Sequence, residues 1–239
     1  MTTTTVETFR DRKRGVVAVL AVLLALAFVS PSLATPEDSI TPLEQYNTPK
    51  AKALASTYKP QLLRFYEHVY WCLPWLGVAK HGIGFRQPKG ITADDRYLSV
   101  WVMIDQTDDG SFAAMPRERR VSAMFSRYGV DLLRRLTAMT SAASDADLTG
   151  FSVVLSWPKP GLPPDRPVSE TMALFVDKAS LADFLAKRLE PTEFVSRVKL
   201  SVFDGKDPLT PGKLEIWEDT FNSTYKLKGY EAPKEAKCS

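Results

Sequence analysis

Cysteine and histidine are scarce in this chain, two of each among 239 residues. That scarcity removes most metal and nucleophile chemistry at the outset. His68 and Cys72 stand four apart, a spacing two ligands of one ion can share on a helix, and His81 would supply a third. Phe65 and Val69 share their face, however, so the stripe reads as core with a polar edge, and no metal is expected. Cys72 and Cys238 are too distant in sequence for a C-x-x-C redox pair. A G-x-S-x-G nucleophile elbow is missing. His81-Gly82-Ile83-Gly84 resembles an oxyanion-type loop, but no nucleophile motif accompanies it, and it reads as a glycine-containing strand. The phosphate-binding Walker and G-x-G-x-x-G loops are missing too. The stretch from Asp105 to Gly110 begins like a calcium loop, yet its twelfth position is Pro116 rather than a bidentate Glu. No cofactor is expected.

Long apolar runs are missing with one exception, residues 16–29, and that run is shorter than the ~20 residues a spanning helix needs. Arg10, Arg12, Lys13 and Arg14 precede it; Pro31 and the small-residue triplet Ser32-Leu33-Ala34 follow. This is the layout of a secretory signal. Residues 1–34 are therefore expected to be a cleaved signal peptide, and the mature protein to be extracytoplasmic, periplasmic or secreted. No cysteine follows the cleavage site, which argues against a lipoprotein. The basic run lacks an Arg-Arg pair, which argues against twin-arginine export.

Neither sign of charge predominates. The chain has 31 Lys+Arg against 28 Asp+Glu, a net of +3. Four of the basic and two of the acidic groups lie in residues 1–34, so the remainder carries a net +1. A near-neutral protein has no global pull toward nucleic acid. In an oxidising compartment an even cysteine count reads as a disulfide, Cys72 to Cys238, stapling the C-terminal tail to the first helix.

The pattern beyond residue 34 is regular. Residues 35–48 read as a polar, proline-containing linker. Helical spacing runs from about Lys50 to Leu73, with Leu62, Phe65, Val69 and Cys72 on one face and a break at Pro60. Strands are predicted over 78–87 and 96–106; the second carries Leu98, Val100, Val102 and Ile104 on one face, Trp101 and Met103 on the other. A long amphipathic helix is predicted over 116–139, with Gly129 marking a bend. Strands over 151–157 and 170–177 follow, then a short helix N-capped by Ser180 and ending near Leu189, then strands over 199–203 and 213–217. Residues 229–239 form a charged tail. The expected fold class is α+β: an N-terminal helix, then ββα-ββα-ββ, with a mainly antiparallel sheet and helices packed on one face. Residues 49–228 make a single domain. Residues 85–96 resemble 155–166, which suggests two duplicated ββα units; the plainer reading is that hairpin loops favour Pro, Gly and Asp in any case.

Two features point to binding. Arg120, Arg127 and Arg134 recur every seven residues on the long helix, a stripe suited to carboxylate or phosphate groups of a partner. Arg117, Arg119 and Arg135 add to its charge. Trp71 and Trp75, at the exit of the first helix, are the aromatics expected to reach the surface and serve as contact anchors. The expected function is an exported, non-catalytic binding protein of the cell envelope or secretome, with a protein partner; contact with a membrane surface is also compatible. One alternative is an extracytoplasmic hydrolase of sugar or envelope polymer using Asp94, Asp95, Asp105, Asp108 and Asp109, two of which would have to line one cleft. Another is a binder of lipid or another apolar small molecule, which would need an unfilled cavity between sheet and helices. Asn222-Ser223-Thr224 is a glycosylation sequon, meaningful in a eukaryotic source.

Overall fold

The computed structural model describes residues 36–104, 110–161, 168–205, 210–217 and 233–238. The expected signal peptide lies outside the described residues, as do Asp105, Asp108, Asp109, the loop 162–167 and the sequon at Asn222.

Helix α1 (Pro49–Cys72) starts where Thr48 accepts a hydrogen bond from Ala51 N through Oγ1, 3.3 Å, with Pro49 in the first turn. Leu54, Tyr58, Leu62, Phe65 and Val69 form its buried stripe. Pro60, where a break is expected, sits on the exposed side, and the helix runs through it. The hairpin β1 (Leu76–Arg86) and β2 (Arg96–Ile104) follows, antiparallel. β1 carries extra residues between the pairs Val78↔Val102 and Ile83↔Val100, a bulge in which His81 adopts a positive φ of 53°.

A helical crossover comes next: α2 (Gly110–Ala114), α3 (Arg117–Met124), a π-turn (Phe125–Gly129) and α4 (Val130–Met139). The expected continuous helix 116–139 is thus three pieces. Gly129 is required there by close approach, since a Cβ would fall 2.4 Å from Phe125 Cδ2. The crossover returns the chain so that β3 (Leu148–Pro158) lies parallel to β2. That parallel pair is a departure from simple hairpin reading, and it follows from the length of the connection.

β4 (Ser169–Asp177) then pairs antiparallel with β3, and β5 (Lys199–Phe203) with β4. Between them lie α5 (Lys178–Leu185) and α6 (Pro191–Arg197). The cap of α5 is Asp177, which accepts from Ser180 N at 2.8 Å, rather than Ser180 itself. The predicted helix ending near Leu189 is shorter than expected, and α6, with Pro191 at its first turn, is an addition. The two-residue β6 (Thr210–Pro211) completes one six-stranded mixed sheet in the order β1 to β6. Residues 213–217, expected as a strand, run beside α3 and the π-turn instead. Ser122 Oγ accepts from Glu215 N at 2.9 Å and Ser126 Oγ from Trp217 N at 3.3 Å, so side chains replace the ladder.

Residues 36–48 belong to the domain and are not a linker. Ile40 and Tyr46 are buried, Ile40 bridges Ile83, and Thr41 N donates to Ile83 O at 2.8 Å along the outside of β1. The tail is likewise tied down at residues 233–238. The core lies between the helices and one face of the sheet: Leu98, Val100, Val102, Ile104, Phe151, Val153, Leu155, Trp157, Met172, Leu174 and Val176 are all buried. The α+β class matches expectation.

Candidate binding surfaces

The arginine stripe does not survive as one surface. Arg120 turns inward. Its Nε donates to Glu170 Oε2 at 2.8 Å and its Nη2 to Glu170 Oε1, while Nη1 donates to Met115 O. Glu170 also accepts from Trp157 Nε1 at 2.8 Å and is 2 % exposed. This is a bidentate ion pair held within the core. Arg127 lies with its guanidinium carbon 5.9 Å from the Phe112 ring centre. Arg134 is exposed and 3.8 Å from Asp131. The π-turn between them accommodates extra residues per turn, so a seven-residue repeat read across it no longer marks a single line. Arg119 stacks over Trp217 at 4.4 Å and pairs with Glu215, fastening the 213–217 segment.

Trp71 is 44 % exposed and makes an edge contact, 4.6 Å between centres, with Tyr70, itself 53 % exposed. Trp75 is partly buried, and its Nε1 has no hydrogen-bond partner. Beside them Cys72 and Cys238 form a disulfide, Cα–Cα 5.3 Å, as expected. His68 Nδ1 donates to Lys237 O at 3.2 Å, and Arg135 Nη1 donates to His68 Nε2 at 2.6 Å. Arg135 in turn meets Asp131 at 2.7 Å. His68 is thereby neutral, its pKa drawn below the usual value by burial and by the Arg135 charge, against smaller opposing effects of the Lys237 carbonyl and Asp131. The unfolded chain binds this proton more readily than the folded one. The contribution is complete above the ordinary histidine pKa and is lost as pH falls through the folded value. Melting temperature is expected to fall between pH 7.5 and 5, and the His68→Gln variant to show a shallower dependence over that window when both are followed by circular dichroism.

Among the described residues no group of three His, Cys, Asp or Glu side chains could hold an ion, and of the paired-carboxylate candidates only Asp94 and Asp95 are described. His81 Nδ1 meets Gln45 Nε2 at 3.0 Å, far in role from His68. Asp94 pairs with Arg96. The apolar-ligand alternative expects a cavity between sheet and helices, and an open cleft with charged walls does lie between α3 and β5. It measures about 290 Å³ and is lined by Arg117, Glu118, Val121, Val202, Gly212 and Lys213.

The feature that sequence reading passed over is the other face of the sheet. The outward positions include Tyr97, Ser99, Trp101 and Met103 on β2, Gly150, Ser152, Val154 and Ser156 on β3, and Thr171, Ala173, Phe175 and Asp177 on β4. Asp177, at the margin beside Gly150, is the one charged residue among these. Trp101, Met103, Val154, Ala173 and Phe175 are partly exposed, whereas Tyr97, Ser99, Gly150, Ser152 and Ser156 on the same face are buried. Trp101 Nε1 donates to Ser156 Oγ at 2.9 Å, and Ser156 Oγ meets Thr171 Oγ1 at 2.9 Å, a polar row that fixes the indole. Tyr97 and Phe175 meet edge to face at 5.3 Å. The Tyr97 ring lies over Gly150, where a Cβ would come 2.9 Å from Tyr97 Cε1. Ser99 Oγ and Ser152 Oγ are buried without a partner. The signal was present in the alternation of 97–103, where Trp101 and Met103 looked like the second buried face of a central strand.

No family model, curated protein or solved structure matches this chain.

Proposed function

We propose that this is an exported, non-catalytic binding protein of the cell envelope or secretome that engages a protein partner through the partly exposed outward face of its sheet. One observation carries the reading: the central outward rows, Ser99–Ser152–Phe175, Trp101–Val154–Ala173 and Met103–Ser156–Thr171, hold no charge and include Trp101, Met103, Val154 and Phe175, with Asp177 at the margin. A sheet with one solvated face alternates apolar inward and polar outward. An apolar, charge-free central patch is instead the composition of an interface centre, where charged residues are depleted and aromatics and Met enriched. Export is supported by the N-terminal pattern and is compatible with the Cys72–Cys238 disulfide. No helix among the described residues is long and apolar enough to cross a membrane.

The test is a photo-crosslinking residue at Val154, with the exposed helix position Ala53 as control, to identify the partner, followed by affinity measurement with the purified partner. Val154→Glu should weaken binding by about thirtyfold or more while leaving the melting temperature unchanged. If Val154→Glu binds normally and Arg134→Glu does not, the helix face is the site and the sheet reading fails.

A further inference from the structure

We propose that the exit of helix α1 is a membrane contact, in which Tyr70 and Trp71 enter the interfacial layer of an anionic bilayer and Arg64, Lys234 and Lys237 meet its phosphate groups. This contact goes beyond the sheet face and does not depend on it. Tyr70 and Trp71 are the most exposed of the large apolar side chains among the described residues. They are neighbours on the last turn of α1, and the Tyr66 ring stacks on the Tyr70 ring at 6.1 Å. Residues 70–78 contain no charge, so Tyr70, Trp71, Pro74 and Trp75 form an apolar knob through the turn into β1. The Cys72–Cys238 bond fixes that turn and brings the tail against it, where Lys237 O accepts from His68 Nδ1. The rings are thus presented by a rigid helix end, which lowers the entropy cost of binding.

Cations flank the rings. On the helical repeat Arg64 lies two turns back on the same side as Trp71, and Lys59 continues the line of Tyr70. Lys234 and Lys237 stand on the tail. All four are exposed and enter no ion pair among the described residues. Exposed arginines elsewhere are paired: Arg119 with Glu215, Arg134 with Asp131, Arg188 with Asp183, Arg197 with Glu193. The acids beside the knob are Glu67 on α1 and Glu235 on the tail, so cations are in excess there. An excess of unpaired cations on a nearly neutral protein gives this end a local attraction for anions. Lysine is depleted at protein–protein contacts, whereas each Lys or Arg close to an anionic bilayer strengthens binding about fivefold. Tyr and Trp, with a polar tip on an apolar ring, settle at the headgroup level. The two kinds of side chain at this helix end therefore match the two layers of a bilayer surface.

The probes are vesicles of phosphatidylcholine and phosphatidylglycerol in equal parts and vesicles of phosphatidylcholine alone, with the bound fraction read by sedimentation. The anionic vesicles should bind about tenfold more tightly or better. Tyr70→Ser with Trp71→Ser should weaken that binding about tenfold, and both rings are exposed, so the melting temperature should hold. Arg64→Gln and Lys237→Gln should each cost about fivefold, while Lys89→Gln, at the other end of the β1–β2 hairpin, should cost nothing. Residues 16–29 are common to every variant, so a second readout is local: brominated phosphatidylglycerol should quench tryptophan emission, and Trp71→Phe should remove most of the quenching. Equal binding to the two kinds of vesicle, a loss in Lys89→Gln equal to that in Arg64→Gln, or quenching that persists without Trp71 overturns the proposal. Heparin that binds as tightly as the anionic vesicles, and undiminished in the Tyr70 and Trp71 variant, assigns the cations to a soluble polyanion and overturns it too. The sheet-face reading is judged separately, by the Val154→Glu affinity.

Discussion

Replacing Glu170 with alanine is expected to lower the unfolding free energy by about 3–5 kcal/mol, or roughly 10 °C in Tm for a domain of this size. The carboxylate is 2 % exposed and accepts from Arg120 and from Trp157 Nε1. Its removal leaves a desolvated guanidinium and an orphaned indole N–H in the core, and the first of these dominates the cost. Urea denaturation followed by tryptophan fluorescence reads the loss. The paired replacement Arg120→Met with Glu170→Leu is expected to recover most of it, because a buried ion pair is often no more stabilising than apolar groups of similar volume. Recovery in the double variant separates an unpaired charge from a mere packing defect; its absence would show that shape rather than charge governs the site. Arg120→Glu, the obvious probe of an arginine stripe, would set two carboxylates against each other inside the protein. It therefore reports on folding and says nothing of binding.

Breaking the disulfide should cost nearly as much. Cys72 and Cys238 are 166 residues apart. Closing a loop of that length removes about 5 kcal/mol of unfolded-chain entropy in the simplest treatment, and less where strain or residual structure intervenes. Cys72→Ser, Cys238→Ser and the double variant are expected to lose the same amount, since each breaks one bond. A reducing agent should bring the unmodified protein down to their level and leave the variants where they are. If the three variants differ, the segment 233–238 contributes through His68 and Arg135 independently of the sulfur bond.

Much of the scaffold was visible in the residues. The apolar alternation of 96–104 and 151–157 marked the central strands, and two cysteines allowed only one bridge. Pairing direction was not visible, because whether β2 and β3 run parallel depends on how the intervening helices lie and not on either strand. The inward turn of Arg120 was hidden for a similar reason: its partner Glu170 is 50 residues away, and a helical wheel sees only neighbours. The π-turn at Phe125–Gly129 defeated the heptad reading from within. The partly exposed sheet face was the costliest omission. Trp101 and Met103 resemble a buried second layer in composition, and only their partial exposure in the fold shows them to be left outside.

The two margins of the sheet bear on how this molecule can associate. On one side Ile40 and Thr41 already occupy the outer ladder of β1, and the bulge around His81 interrupts what would remain. On the other side β6 is two residues long and ends in Pro211, which has no N–H to offer. Among the described residues both margins are short or interrupted, which hinders strand addition and the open-ended stacking that leads to fibres. A broadside approach is favoured over these edges. Recognition then falls to side chains, and selectivity can change by substitution at a few surface positions while the backbone stays as it is.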